Sequence, residues 1–600
     1  MLEFSLSSLG PSEQYNLRLE HWQQERERAE RRFRTLGNLR LLTGIAAVAI
    51  AAASLGPGWI SAWWLLAPVV VFSGLAIVHD RVDRGRIGAA RGVSYYEHAL
   101  GRLTHQWIGR GNQGERFRDP KHVYADDLDL FGRGSLFELL STARTGAGET
   151  ILAGWLLALG ERQEVIARQE AVRELRSRTD LREELALMGE DIRAAVDAKI
   201  LAKWGEGRPI EFFKGASIAA FLLAFAAVAA FALFLAHVVS LVPFLFVVLA
   251  EIGYYMAVRD GVRHIVAGVG TPAHELQLLM LLLERLERES FESTRLKELK
   301  QALETEAKTA SQQIRRLGRL IELLDSARNQ FFGPVAAPVL WIPQFAMAIE
   351  RWRRHCGVRI GKWTAAIGEF EALCSLASFA FERPDAVFPE LVEAPPLFEA
   401  TGVVHPLIAR ESAVPNDVAI GGGTRLWIVS GSNMSGKSTL MRAIGLNAVL
   451  AWAGAPAACA QLRISRLHIG ASMRANDSVI DNKSRFYAEI ERLRDIVNLA
   501  RAGLPTLFLL DELLSGTNSH DRKIGAESLV RGLVDRGAIG LVTTHDLALA
   551  RIADTMDGAL NVHFEDHLEN GEIRFDYRLR SGVVTRSNAL ELMRAVGLDV

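Results

Sequence analysis

The sequence predicts a multidomain chain: two transmembrane helical hairpins set into an all-α region with long helices, then a C-terminal α/β domain. Three observations carry that prediction. Two pairs of apolar stretches, 41–78 and 215–258, are bracketed by charged sequence. The segments between and after them alternate charged and apolar residues at helical spacing. Past residue 396, short apolar runs end in glycine, acidic residues or histidine, as buried parallel strands do at their C-terminal ends. At 600 residues the chain exceeds a single core.

Each segment follows in order. Residues 1–40 form a charged N-terminal helix with Arg26, Arg28, Arg31, Arg32, Arg34 and Arg40. The first hairpin, 41–78, pairs Leu41 to Leu55 with Trp59 to Val78 across Gly56-Pro57-Gly58. About 20 apolar residues cross a bilayer as a helix. The first run is short unless 37–40 lies at the interface, and Trp59, Trp63 and Trp64, next to the turn, suit an interfacial belt. Residues 79–214 read as a helical domain, with Gln163 to Leu187 amphipathic and free of proline. The second hairpin, 215–258, has His237 as its only titratable side chain before Glu251, and a bend is expected between His237 and Pro243. Residues 259–395 carry long helices. His274 to Arg328 reads as one amphipathic helix broken once, its Lys and Arg balanced by Glu. The C-terminal domain is 396–600. Alanine richness in 216–236 keeps an alternative open, in which the apolar pairs are core hairpins of a soluble protein.

Arginines flank both hairpins and are absent from their turns: Arg81, Arg84, Arg86 and Arg91 follow the first, Arg208 precedes the second, and Arg259 and Arg263 follow it. The positive-inside rule then places both termini, the middle region and the C-terminal domain in the cytoplasm, in a multi-pass protein of the cytoplasmic (inner) membrane. A signal peptide fits poorly, because the first apolar run starts some 40 residues in. The net charge of −1 announces no global affinity for nucleic acid. Three cysteines without metal-ligand spacing argue against a structural zinc site and fit a reducing compartment.

The chemistry lies in the C-terminal domain. Leu426-Trp427-Ile428-Val429 leads into Gly431-Ser432-Asn433-Met434-Ser435-Gly436-Lys437-Ser438-Thr439. A strand, a glycine-bounded loop and a helix start make a phosphate-binding P-loop, with Gly431 through Thr439 as the candidate ATP-binding residues. Backbone N–H groups would point at phosphate oxygens and the helix N-terminus would favour the anion. Lys437 would reach the β/γ-phosphates, and Ser438 would hold Mg²⁺ through its hydroxyl. Leu507 to Leu510 ends in Asp511-Glu512. Asp511 is the second Mg²⁺ candidate and Glu512 the general base. Gly540 to Thr544 ends in His545, which could sense the γ-phosphate. A chance turn, a solvated acidic pair and a structural histidine are the bland alternatives. The order of the three strand ends speaks against them.

These motifs resemble the ATPase core of the MutS family: Gly431 to Arg442, Ala453 to Ala457, Ile469 to Ser472, Ser484 to Glu489, Leu510 to Glu512 with Ser515 to Asn518, Thr543 to His545, and Tyr577-Arg578-Leu579 through Gly582 with Ser587 to Ala589 and Gly597. Thr142 to Gly146, Leu152 to Leu156, Arg168 to Val172 and Ile367 to Ala380, running on to His405-Pro406 and Pro415 to Asp417, are similar to that family's helical core. The resemblance implies an ABC-type P-loop ATPase that uses ATP and Mg²⁺, acts as a homodimer with composite sites, and works on mismatched, damaged or branched DNA in repair. It gives Ser484 the trans signature role and makes Ser515, Gly516, Thr517 and Asn518 the dimer-seam loop. Arg485 stands where the family has a small polar residue, and Ala413 where many relatives place an aromatic near adenine. No N-terminal mismatch-reading domain is recognisable, 189–338 leaves little room for a DNA clamp, and no appended nuclease domain is expected. A second reading therefore stands beside the first: an ATP-driven switch at the membrane that acts on a protein partner without binding DNA.

Overall fold

The computed structural model describes residues 9–55, 61–188, 198–304, 308–327, 332–432, 434–473, 485–514, 517–545, 547–569 and 572–584. It is a multidomain, largely helical molecule with an α/β region at its C-terminus. The helices are α1 Pro11–Leu55, α2 Leu66–Leu103, α3 Leu136–Leu140, α4 Gly146–Leu157, α5 Arg162–Ser177, α6 Thr179–Met188, α7 Ala198–Glu206, α8 Ala216–Leu235 and α9 Val242–Arg288. There follow α10 Thr294–Leu303, α11 Ala310–Ser326, α12 Gly333–Ala336, α13 Trp341–Glu382, α14 Lys437–Ala453, α15 Arg485–Arg501, α16 Ser519–Asp535 and α17 Leu547–Ala550.

Helices run through several of the expected segment boundaries. The charged N-terminal segment and the first apolar run are one helix, α1, and α2 continues 25 residues past Val78. The second hairpin turns between Leu235 and Val242, inside the window expected for its bend, but α9 does not stop at Val258. It carries the apolar run straight into the amphipathic one, to Arg288. The single helix expected over 274–328 is broken twice, into the end of α9, α10 and α11. The pattern over Gln163 to Leu187 is likewise interrupted. Arg178 leaves helical geometry with ψ 61°, and Arg182 Nη2 donates to the Arg176 carbonyl across the break at 3.0 Å. Periodicity sees both flanks of such a break and not the cap between them.

Among the described residues, five helices are long and apolar enough, by length and composition, to cross a membrane. In four of them, α1, α2, α8 and α9, the most apolar window is 0–22 % buried within the protein. Their outward residues include Val48, Val70, Phe221, Phe225 and Phe246. Helix α13 is the fifth, and 83 % of its window is buried.

Helix α13 is the spine of the molecule. Near its start, Met347 lies against Tyr254 at the base of the α8–α9 hairpin, where Tyr254 also donates to the Ala216 carbonyl at 2.8 Å. Farther along, Glu371 accepts from the backbone N–H groups of Arg144 and Thr145 and from the Thr145 hydroxyl, fixing the start of α4. At its end, Glu382 takes a bidentate bond from Arg102 and one from the Tyr15 hydroxyl, docking the base of the α1–α2 hairpin. Helix α4 in turn packs on α14.

Among the described residues, ten strands make two sheets: β1 Glu390–Leu391, β2 Leu397–Val403, β3 Asn416–Gly421, β4 Leu426–Ser430, β5 Gln461–Ile464, β6 His468–Ser472, β7 Thr506–Leu510, β8 Ile539–Thr544, β9 Ala559–Glu569 and β10 Glu572–Ser581. The smaller sheet has the order β1-β5-β2-β3 and the larger β10-β9-β4-β8-β7-β6. From β6 to β9 the larger sheet is parallel, and β10 closes its edge antiparallel. Every residue of β4, β7 and β8 is buried, as expected of strands covered on both faces.

Candidate active site

Strand order places the site. Because β4, β8 and β7 are adjacent and parallel, their C-terminal ends share one edge, with Ser430 opposite Thr544 and Leu510 opposite Val542. The 431–436 loop, Asp511-Glu512 and His545 leave from that edge, where ligands bind in open α/β sheets.

The loop turns into α14 at Gly436, whose φ of +106° suits glycine alone. A Cβ there would stand 3.2 Å from the Tyr577 ring. Lys437 is buried, and its Nζ donates to the carbonyls of Gly431 at 2.9 Å and Ser432 at 2.8 Å. Burial pushes the Lys437 ammonium below the ordinary lysine value, and the Glu512 and Asp511 carboxylates oppose that shift. The hydroxyls of Ser432 and Ser435 are buried with no hydrogen-bond partner among the described residues. Met434 turns its side chain out, 85 % exposed, leaving its backbone to the loop. Thr439 is the third residue of α14. Asn433 is outside the described residues.

The acidic end is tied to the loop side. The Ser438 hydroxyl donates to Asp511 Oδ2 at 2.5 Å. Thr543 donates its hydroxyl to Asp511 Oδ1 and accepts the Glu512 N–H at 3.1 Å, so one side chain positions both acids. Glu512 takes a left-handed backbone, φ +46°, and its Oε1 lies 3.4 Å from His545 Nδ1. Lys437 and Ser438, named from sequence in the glycine-bounded loop, and Asp511, Glu512 and His545, named at two strand ends, thus form one cluster. Its hydroxyl and carboxylate oxygens are the hard donors Mg²⁺ takes, and the orphaned serine hydroxyls and buried ammonium suit phosphate oxygens. The residues present therefore fit both groups.

Beside the loop lies a cavity of about 360 Å³ whose lining includes His405, Ala413, Thr439, Phe564 and Tyr577. Burial lowers the His405 pKa to about 4, with Arg442 and Arg383 adding to the effect, so the imidazole is neutral at pH 7. Asn416 holds the Tyr577 turn from both sides. Its Nδ2 donates to the Tyr577 carbonyl at 3.0 Å, and its Oδ1 accepts the Leu579 N–H at 2.7 Å. Sequence reasoning placed Tyr577 in a motif but not against Gly436, and it gave Thr543 no role. Both contacts come from strand pairing that no local pattern encodes. Four of the eight non-glycine residues with positive φ among those described, Met434, Glu512, Leu514 and Tyr577, are in the loops and turn around this edge. Such conformations gather where a site requires them.

Of the seam candidates, Ser484, Ser515 and Gly516 are outside the described residues. Asn518 acts locally, its side chain capping α16 by accepting the Asp521 N–H at 2.9 Å. The Thr517 N–H donates to the Leu514 carbonyl, and Arg522 Nη2 bonds the Thr517 carbonyl. Glu489 of α15 accepts the Leu514 N–H at 2.6 Å, which joins the helix after Ser484 to the loop after Glu512.

Residues 427–599 match the family model described as MutS domain V. Among curated proteins, the chain is 33 % identical over 232 residues to DNA mismatch repair protein MutS 2 of Halobacterium salinarum, covering 38 % of this chain and 26 % of that protein. It is 33 % identical over 239 residues to DNA mismatch repair protein MSH3 of Phaeosphaeria nodorum, covering 38 % and 21 %. It is 33 % identical over 233 residues to Endonuclease MutS2 of Thermomicrobium roseum, covering 36 % and 28 %. The matched part is about a quarter of each relative's length.

Proposed function

The chain belongs to the MutS family through its C-terminal region, and from that premise we propose that it is a membrane-tethered ATPase acting on mismatched, damaged or branched DNA in a repair-type process. The observation that carries the ATPase reading is the convergence of Lys437, Ser438, Asp511 and Glu512 on one sheet edge. The 431–439 segment acts as a P-loop. Lys437 exchanges its two loop carbonyls for phosphate oxygens, and the Ser432 and Ser435 hydroxyls gain the acceptors they lack. Ser438 and Asp511 would hold Mg²⁺, which supplies charge neutralisation at the phosphates when bound. Glu512 accepts a proton from the attacking water, with His545 beside it to orient the carboxylate. Thr543 keeps Asp511 and Glu512 in register. The cavity beside Gly436 takes adenine, where the Tyr577 ring supplies the aromatic surface that Ala413 lacks.

Two copies complete the site. Ser484 touches the γ-phosphate held by the partner, and the 515–518 loop crosses the seam. The link from Glu489 to Leu514 supports coupling between these segments. Closure then depends on the γ-phosphate as a charged bridge.

The bare apolar windows of α1, α2, α8 and α9 support the tether. A soluble protein rarely leaves such patches exposed. On this reading the hairpins cross the cytoplasmic membrane and the ATPase region faces the cytoplasm. The second reading keeps the switch and the tether but gives the output to a protein partner instead of DNA. The names of the relatives favour DNA.

Lys437→Ala should abolish tight ATP binding, whereas Glu512→Gln should bind ATP and stall hydrolysis. Equal turnover by Glu512→Gln and wild type would remove Glu512 from the mechanism. Mixing Lys437→Ala with Ser484→Arg subunits should recover activity from one intact composite site. An inactive mixture would remove the trans role of Ser484.

A further inference from the structure

We infer that the exposed face of α13, extended by α11, is a binding surface for the phosphodiester backbone of duplex DNA. The inference rests on the DNA reading above and says where the DNA lies.

Between 351 and 368, α13 contains no Asp or Glu. Arg351, Arg354, Arg359 and Lys362 fall on one side of it at helical spacing i, i+3, i+8 and i+11. Three are exposed and Arg359 is half-buried. The faces flanking this row are packed: Trp352 Nε1 donates to the Gln313 carbonyl of α11 at 2.9 Å, and Gly357 meets Gly205 of α7 so closely that a Cβ on either would strike backbone. Helix α11 adds exposed Arg316 and Arg319 along the rim. Cys356 of α13 is buried. Burial raises its pKa, and the guanidiniums of Arg359 and Arg316 both pull it back.

Of these six cations only Arg354 has an acidic partner among the described residues. Elsewhere arginines are matched with acids, as Arg102 with Glu382 at 2.5 Å, Arg178 with Glu174 at 2.7 Å, and Arg295 with Glu369 at 2.6 Å. Arg351 donates to the Ser217 hydroxyl, and Arg354 touches the Ile210 carbonyl and, at 3.7 Å, Glu350. Arg316, Arg319, Arg359 and Lys362 have no ion pair or hydrogen bond among the described residues. A cluster of free cations on a chain of net charge −1 is a local feature that global charge conceals.

Its extent favours DNA over lipid headgroups. Arg351 to Lys362 spans about 16 Å of helix, enough for several successive phosphates. Helix α13 also runs away from the α8–α9 hairpin. Met347 touches Tyr254 at the hairpin base, whereas Phe370 meets Phe291, beyond the end of α9. Lys362 is therefore about 22 Å along the helix from the contact nearest the bilayer. A membrane surface reaches the Arg351 end of the row, and a rod-shaped polyanion reaches all of it.

The test uses the full chain in nanodiscs of neutral lipid and measures binding of labelled duplex DNA against salt. The triple variant Arg316→Gln, Arg359→Gln, Lys362→Gln should bind at least tenfold more weakly. Its slope of log affinity against log salt should be shallower by about 2.7, at roughly 0.9 per lost phosphate contact. A charge-matched control on α1, Arg26→Gln, Arg32→Gln, Arg34→Gln, should leave the slope unchanged, and both variants should keep wild-type ATP turnover. If wild type binds DNA and the triple variant has the same slope, the surface is elsewhere and the DNA reading stands. If wild type binds no duplex, mismatched or branched DNA, the DNA reading falls and the inference with it. If the triple variant keeps its DNA but loses anionic vesicles, the face belongs to lipid and the inference is overturned.

Discussion

Helix α13 and the hairpin helices carry the same apolar signal and meet opposite surroundings. The most apolar window of α13 is 83 % buried, and those of α1 and α8 are 0 % and 22 % buried. The difference shows in their polar side chains. Buried along α13 are Glu350, Arg353, Glu371, Ser375, Ser378 and Glu382, each with hydrogen-bond partners from other elements or its own backbone. Along α8 there is no charged side chain at all. A helix covered by protein can keep polar groups because neighbours satisfy them, whereas a helix left bare of protein has no such neighbours. Mean hydropathy blurs this distinction, and the placement of polar residues restores it.

The comparison breaks most visibly with a charge placed on each side. Ala372 of α13 is fully buried. Ala372→Arg should prevent folding, since an uncompensated buried charge costs about 3–5 kcal/mol before overpacking is counted. Yield and thermal unfolding check it, and a wild-type melting temperature would mean that this helix is not the core. Val70 of α2 is 68 % exposed. Val70→Arg should leave ATP turnover in detergent intact while displacing protein from the membrane fraction, at about 2.5–3.5 kcal/mol on insertion scales. If wild type itself washes off in carbonate, the hairpins are not membrane spans.

A smaller effect sharpens the buried side. Burial raises the Glu371 pKa to about 7, although the Thr145 hydroxyl and the N–H groups of Arg144 and Thr145 pull it down. Unfolded, the group titrates near 4.5. The folded state therefore holds the proton that the unfolded state releases, and stability falls as pH rises from about 4.5 to about 7, by about 3 kcal/mol. Denaturant unfolding at pH 5 and pH 8 should show this slope in wild type and a flatter one in Glu371→Gln. Identical slopes would assign the pH dependence to other groups. The smallest effect tests the joint between the two regions. Tyr254→Phe removes the bond to the Ala216 carbonyl and should cost about 1 kcal/mol in detergent, read as a modest drop in melting temperature. No change would mean that the hairpin base is held by packing alone.

Much of the site was legible in the residues themselves. Lys437 and Ser438 were marked by a glycine-bounded loop after an apolar run, and Asp511, Glu512 and His545 by an apolar run that ends in them, because a buried parallel strand must be apolar and must deliver function at its end. The cationic face of α13 was open to the same kind of reading, by spacing alone. It went unread because spacing does not say which side of a helix its neighbours will cover.

The sequence by itself determined the strand-end chemistry, the two apolar hairpins and the arginines that flank them, since these depend on residue type over a few consecutive turns. Only the tertiary structure decided that Thr543 would hold both acids, that Tyr577 would stand against Gly436, and that α13 would be enclosed while α8 stayed bare. Each of those depends on strand order or on the neighbour across an interface, and contacts between residues far apart in the chain leave no local periodicity to read.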